Sequence, residues 1–435
     1  MTRLVIRGVR WPGDVAIEDG SISAVGDVAV AAGDEVLDAR GGIVTAGLVN
    51  GHSHLFQWLT RGRATGCGLF DWLVALYPTW GRLSVDDVAA AALVGLGELA
   101  RSGCTTASDH HYLVPRGDDA VFDAVVDAAR SVGIRLYLGR GSMDLSEKDG
   151  GLPPDDVVED LDDILCSTED VIARHHDGDL VNVVVAPCSP FSVTPRLMEE
   201  SAALARRRGL RLHTHLAETL EEDEHCIARF GRRPLEQLEE WGWSGPDVWF
   251  AHGIHFDDQA VKRIGATSTG VAHCPTSNAR LGAGIARTRD LLDAGARVGL
   301  GVDGAASNES ASMLEEARHA VLFARARGGP KALGVRDALE LATIGGARVL
   351  GREDDLGSIE PGKIADLALW RLDTIAHADI TDPVAALILG SPPPLELLLV
   401  DGHVVVEQDR VVTVDESVIA REAAAVHKSL VRKAG

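Results

Sequence analysis

The chain has 435 residues, 46% of them hydrophobic, and 65 acidic against 42 basic residues leave a net charge of −23. That field repels nucleic acid and anionic lipid, so neither nucleic acid nor a membrane is an expected partner. No run of about eighteen apolar residues offers a membrane span, and the length suits one large parallel barrel with a small satellite domain.

The N-terminus lacks an apolar core of signal-peptide length. The six cysteines are scattered without a CxxC pair, the pattern of reduced thiols, so a cytoplasmic location is expected. The first forty residues read as short strands at Leu4–Ile6, 14–20 and 21–26, and Asp19-Gly20 is a hairpin signal. From residue 43 the texture changes. Short apolar runs at Ile43–Val49, Thr105–Asp109, Ile134–Leu138, Val181–Ala186, Leu210–His215, Val248–His252, Gly270–Cys274 and Val298–Asp303 alternate with helical patterns. Examples of the latter are Asp86–Arg101, Ala120–Val132, Pro195–Arg208 and Arg287–Ala294, several closed by a glycine before the next strand. Acidic residues crowd the stretch from Asp144 through Asp179, which reads as the solvated face of a helix. After residue 355 strand patterns return, with a second Asp-Gly turn at Asp401-Gly402.

Eight strand–helix units in series predict an α/β fold, a closed (β/α)₈ barrel over residues 43–355. A small β-sandwich domain is expected from residues 1–42 and 356–435. An open doubly wound sheet is the alternative, but no GxGxxG follows the first strand of the middle region.

The C-terminal ends of barrel strands form the active-site rim. The first strand runs into His52-Ser-His54, whose side chains share a direction because a strand alternates with period two. The fifth ends in His213-Thr-His215, the sixth in His252 and the eighth in Asp303. Taken singly, each is more often a hydrogen-bonded core histidine or a turn cap. Converging at one mouth, imidazoles and a carboxylate make a site for a first-row metal; the period of two leaves open whether His213 or His215 is the ligand. Glu218, three residues beyond His215, returns a carboxylate toward that site for proton transfer. The run Glu221-Glu222-Asp223-Glu224 reads as first-turn acids favoured by the helix dipole.

The motifs Gly47-Leu-Val-Asn-Gly-His52-Ser-His54, His213-Thr-His215-Leu-Ala-Glu218, Ala251-His252-Gly-Ile-His255, Ala272-His273-Cys-Pro-Thr-Ser-Asn278, Gly301-Val-Asp303-Gly and the 357–366 segment resemble the amidohydrolase superfamily, in its nucleobase and triazine deaminase branch. The resemblance implies one divalent metal ion, Zn first and Fe second, on His52, His54, His215 and Asp303. Glu218 and His252 are then the proton carriers, and Asp303 also accepts a proton from the activated water. Binuclear relatives use a bridging carboxylated lysine, and neither the third nor the fourth strand offers one. The resemblance also allows a homodimer.

Further segments, Gly103-Cys-Thr-Thr-Ala-Ser-Asp-His-His-Tyr112, Trp72 to Trp80 and Arg140-Gly-Ser-Met143, look most like the 8-oxoguanine deaminases, which release urate and ammonia. Isoxanthopterin deaminases and triazine amino- or chlorohydrolases share much of the pattern. Gln57 is placed to read a planar amide edge; Tyr112, His111, Cys188 and Ser189 are further candidates for contact with a small nucleobase. Trp72, Tyr77 and Trp80 suit a lid or, equally, a subunit interface. A non-catalytic relative kept as a binding module would have lost ligands, and none is missing.

Overall fold

Barrel helices stop at glycines in the left-handed region, as at Gly133 (φ 85°) and Gly209 (φ 68°), where a side chain would be strained. The chain then re-enters the sheet. In a computed structural model describing residues 3–114, 118–151 and 153–434, eight strands close into a parallel barrel. They are Leu48–Asn50, Cys104–His111, Arg135–Ser142, Val181–Pro187, Leu212–Leu216, Val248–His252, Gly270–His273 and Arg297–Leu300. Helices cover them so fully that every residue of the second and third strands is buried, polar ones such as Asp109, His110 and Arg140 included.

At the mouth, Ser53–His54 pairs in parallel with Asp303–Gly304, extending the first and eighth strands past the barrel proper. The His52–His54 segment and the Asp303 carboxylate therefore lie side by side.

Two antiparallel sheets from the chain ends make the satellite. One holds Leu4–Arg7, Asp14–Glu18, Ser21–Gly26 and, in parallel, Glu35–Asp38; the other holds Ile43–Ala46, Leu367–Trp370, Leu395–Val400, His403–Glu407 and Arg410–Val411. Ile6, Val15, Ile22, Val44, Leu367 and Leu399 form the apolar layer between them. Ile43–Ala46 thus belongs to this sheet, paired with Leu367–Trp370, and not to the first barrel strand. The run from Ile43 to Val49 is apolar throughout, so periodicity hides the break that Gly47 makes. A Cβ on Gly47 would collide with Thr105.

The terminal helix Glu416–Ala434 leaves the sheets and lies on the barrel: Ala423 and Leu430 join the main core, and His427 donates to the Leu59 carbonyl (2.7 Å). The acidic stretch from 144 to 179 is α-helical only over Leu161–His175, and not all of it is solvated. Glu159 pairs with the buried Arg140 guanidinium (2.7 Å), because a guanidinium inside a barrel strand needs a carboxylate. Among the described residues, no helix is long and apolar enough to cross a membrane.

Candidate active site

Three imidazoles are fixed by acceptors behind them, and this dictates where their lone pairs point. The Nδ1–H of His54 donates to the His110 carbonyl (2.7 Å), and that of His215 to the Cys188 carbonyl (2.6 Å). His52 is held through a relay. His213 donates from Nδ1 to the Trp249 carbonyl (3.0 Å), so its Nε2 accepts from Nδ1 of His52 (2.8 Å). Each of the three Nε2 atoms is left without a proton and faces the barrel mouth.

There Nε2 of His54 and Nε2 of His215 lie 3.0 Å apart. Asp303 Oδ1 is 3.4 Å from His52 Nε2 and 3.5 Å from His54 Nε2. The buried His52 Nε2 has no hydrogen-bond partner among the described residues. Facing lone pairs and an orphaned nitrogen beside a carboxylate are unfavourable alone and fit a divalent cation. Burial pulls His52, His54 and His215 down, His215 to about 3, so all are neutral at cellular pH. Burial opposes ionisation of Asp303, but the imidazoles of His52, His252 and His54 around it outweigh burial and hold the carboxyl well below its usual range. Ser277 donates to its other oxygen (2.5 Å).

Beside this cluster, Glu218 Oε2 sits 3.6 Å from His252 Nε2. Burial pushes the Glu218 carboxyl up to about 7, against the pull of His252. Burial alone would depress His252; Glu218 and Asp303 more than reverse it, and His252 is raised. Asn278 accepts from His252 Nδ1 (2.9 Å), turning Nε2 toward Glu218. Both His252 (φ 72°) and Asp303 (φ 62°) hold left-handed backbone, a strain common where a side chain must be aimed.

A cavity opens directly above, lined by Gln57, Tyr112, Cys188 and Ser189 together with His54, His215, Glu218, His252 and Asp303. The helix Leu69–Trp80 closes it from one side with Leu69, Trp72, Leu73 and Tyr77. Trp72, Tyr77 and Trp80 are buried within the single chain, which makes the segment a wall of the cavity. Burial keeps the Cys188 thiol neutral, pushed up to about 12.

His111 is not brought to the cavity. Its Nε2–H donates to the Leu113 carbonyl (2.8 Å) and its ring packs against Phe56 and Phe122 behind the strand. Its neighbour His110 faces inward instead, its ring 4.8 Å from that of His215 and its carbonyl anchoring His54. Parity along a strand buried on both faces does not say which of two adjacent histidines points in. Glu222, read as one of several first-turn acids, is buried: it is 1% exposed.

The Gln57 side chain is buried, and its Oε1 has no partner among the described residues. It lies across Gly304, where a Cβ would stand 1.8 Å from Oε1. Gly304→Ala is therefore expected to displace Gln57 and raise KM about tenfold or more with bound metal unchanged, since one lost substrate hydrogen bond weakens binding by about 1–2 kcal/mol. Steady-state kinetics beside metal analysis check this; an unaltered KM removes Gln57 from substrate contact.

Residues 43–405 match the Amidohydrolase family. The chain belongs to that family. Among curated relatives, the 8-oxoguanine deaminase of Pseudomonas aeruginosa is 46% identical over 91% of this chain and 90% of its own length. An isoxanthopterin deaminase from an unknown prokaryotic organism is 37% identical over 98% and 93%. The solved atrazine chlorohydrolase of Arthrobacter aurescens TC1, complexed with zinc, superposes with a TM-score of 0.91 at 31% identity, covering 98% of this chain and all of that one. As an amidohydrolase, the chain carries the expected closed barrel and a buried His/Asp cluster able to hold a metal.

Proposed function

We propose that this amidohydrolase deaminates an oxidised purine base, 8-oxoguanine, to urate and ammonia, using one zinc ion held by His52, His54, His215 and Asp303. The observation that carries the reading is the pairing of two sites at one mouth: three Nε2 lone pairs with Asp303, and a Glu218–His252 couple 3.6 Å apart beside them. When bound, the cation supplies Lewis-acid chemistry, lowering the pKa of a water toward neutrality. Asp303, held ionised by the imidazoles around it, would accept a proton from a water activated there. Glu218, with its carboxyl near 7, carries a proton at neutral pH. It delivers that proton to the ring nitrogen of the amidine, making the adjacent carbon electrophilic; as the adduct collapses, the proton on Asp303 would pass to the departing amine and the hydroxyl proton of the adduct would return to Glu218. His252, aimed by Asn278, polarises the oxygen that develops negative charge.

The purine assignment is supported by the Gln57 amide, whose Oε1 has no partner among the described residues and which can both donate to and accept from an oxopurine edge, and by the 46% identity to an 8-oxoguanine deaminase. The six cysteines are free, as suits a reduced cytoplasmic enzyme. The test is ammonia release across amino-substituted purines, pterins, triazines and pyrimidines, with metal content measured on the same samples. The 8-oxoguanine sample is expected to give the highest kcat/KM with about one zinc per chain. Turnover of isoxanthopterin or an aminotriazine without release from 8-oxoguanine overturns the substrate and leaves the site chemistry standing.

A further inference from the structure

Glu222 lies in the first turn of the helix Leu220–Phe230. A first-turn acid that only complements the helix dipole can stay in water, as its neighbour Glu221 does. Glu222 is instead buried, beside the carboxyl of Glu218, in surroundings that oppose its ionisation; burial pushes it up to about 8. Its partners explain the placement. In a capping box the acid at this position returns to the backbone N–H of the N-cap residue. Glu222 reaches past that residue, Thr219. Its Oε1 accepts from the Ala217 N–H (2.9 Å) and its Oε2 from the Glu218 N–H (3.1 Å).

Those two amides belong to a turn with no regular structure to hold it. Ala217 has φ 54°, in the left-handed region that an alanine enters reluctantly. The same turn is tied to the one that carries His252. The Ala217 carbonyl accepts from the backbone N–H groups of Ile254 (2.8 Å) and His255 (3.0 Å), and the Leu216 carbonyl from that of Gly253 (3.1 Å). One carboxyl group thus fastens the donors of the first turn, and the acceptors of the first turn fasten the second. Glu218 and His252 project from the two turns toward each other.

We propose that Glu222 is a positioning residue, a clamp that holds the Ala217–Glu218 turn so that the Glu218 carboxyl stays aimed at His252 and the substrate. The clamp rests on the reading of Glu218 as the proton carrier, and its test separates the two. Glu222→Gln keeps the size of the side chain but sets an NH₂ group against one of the two N–H donors. With whichever panel compound releases ammonia, this variant is expected to lose about 10–100-fold in kcat, the range seen when a partner behind an active-site group is removed. KM and bound metal should stay as in the parent protein, and the amides of the 212–222 segment should exchange with deuterium faster. In a Glu218→Gln background the same change should cost less than about twofold further, because two residues acting through one group are not additive.

An undiminished kcat in Glu222→Gln, or a loss that multiplies fully in the Glu218→Gln background, overturns the clamp. So does loss of zinc or of the fold in both Glu222→Gln and Glu222→Ala, which assigns Glu222 to stability. If Glu218→Gln itself turns over normally, the proton carrier is misassigned; the deuterium exchange of the turn then reports on the clamp alone.

Discussion

Glu218→Gln is expected to lower kcat by about 10²–10⁴-fold, the contribution of a positioned proton carrier, while the protein keeps its metal. The substitution preserves shape and hydrogen-bonding length but removes the exchangeable proton. Because Glu218 lies outside the cluster of Nε2 atoms and Asp303, nothing in the ligand geometry depends on its charge. The pH profile carries the same information. Burial pushes the Glu218 carboxyl up to about 7, and as a proton donor it is competent only while protonated. Activity therefore declines as pH rises through that value and is retained below it, until the ligands begin to take up protons. The neighbouring imidazole of His252 titrates with it as a pair, so the observed midpoint belongs to both. In the Gln variant the remaining activity should lose this limb. A variant that retains full turnover, or one that retains the limb, refutes the assignment.

Much of this was legible in the sequence, because barrel chemistry is written at strand ends. His52 and His54 follow one strand, His215 and His252 lie at the ends of two others, and Asp303 falls three residues past the eighth. What stayed hidden has a common physical origin. Period-two parity separates faces only when one face is wet, and the strand Cys104–His111 is buried on both; hence His111 was expected at the cavity where His110 points inward. His213 and His215 share a face, and only the three-dimensional relay shows that the former holds His52 while the latter offers Nε2 to the mouth. The Glu221–Glu224 run reads as uniformly acidic, and nothing in it marks Glu222 as the member bonded to a left-handed turn. The strand Ile43–Ala46 was misplaced because its apolar run continues unbroken into the barrel.

Stripping the metal with a strong chelator is expected to abolish ammonia release and to lower the thermal midpoint, and one equivalent of zinc should restore both. The first effect follows from chemistry, since neither Glu218 nor His252 can make a competent nucleophile of an ordinary water at neutral pH. The second follows from the geometry of the cluster. Its nitrogens are aimed by acceptors on their far sides, from the His110 and Cys188 carbonyls and through His213. The fold thus holds lone pairs 3.0 Å apart that a bound cation would reconcile. Occupancy at a thousand times Kd stabilises the native state by about 4 kcal/mol, and a midpoint shift of several degrees is the expected size. Acid should act in the same direction as the chelator. The imidazoles are neutral because burial holds them down, so protons compete for the ligands only as pH falls, and metal affinity is highest above that range. A protein that keeps its turnover and its midpoint after verified loss of metal would require the convergence of His52, His54, His215 and Asp303 to serve some purpose other than holding a cation.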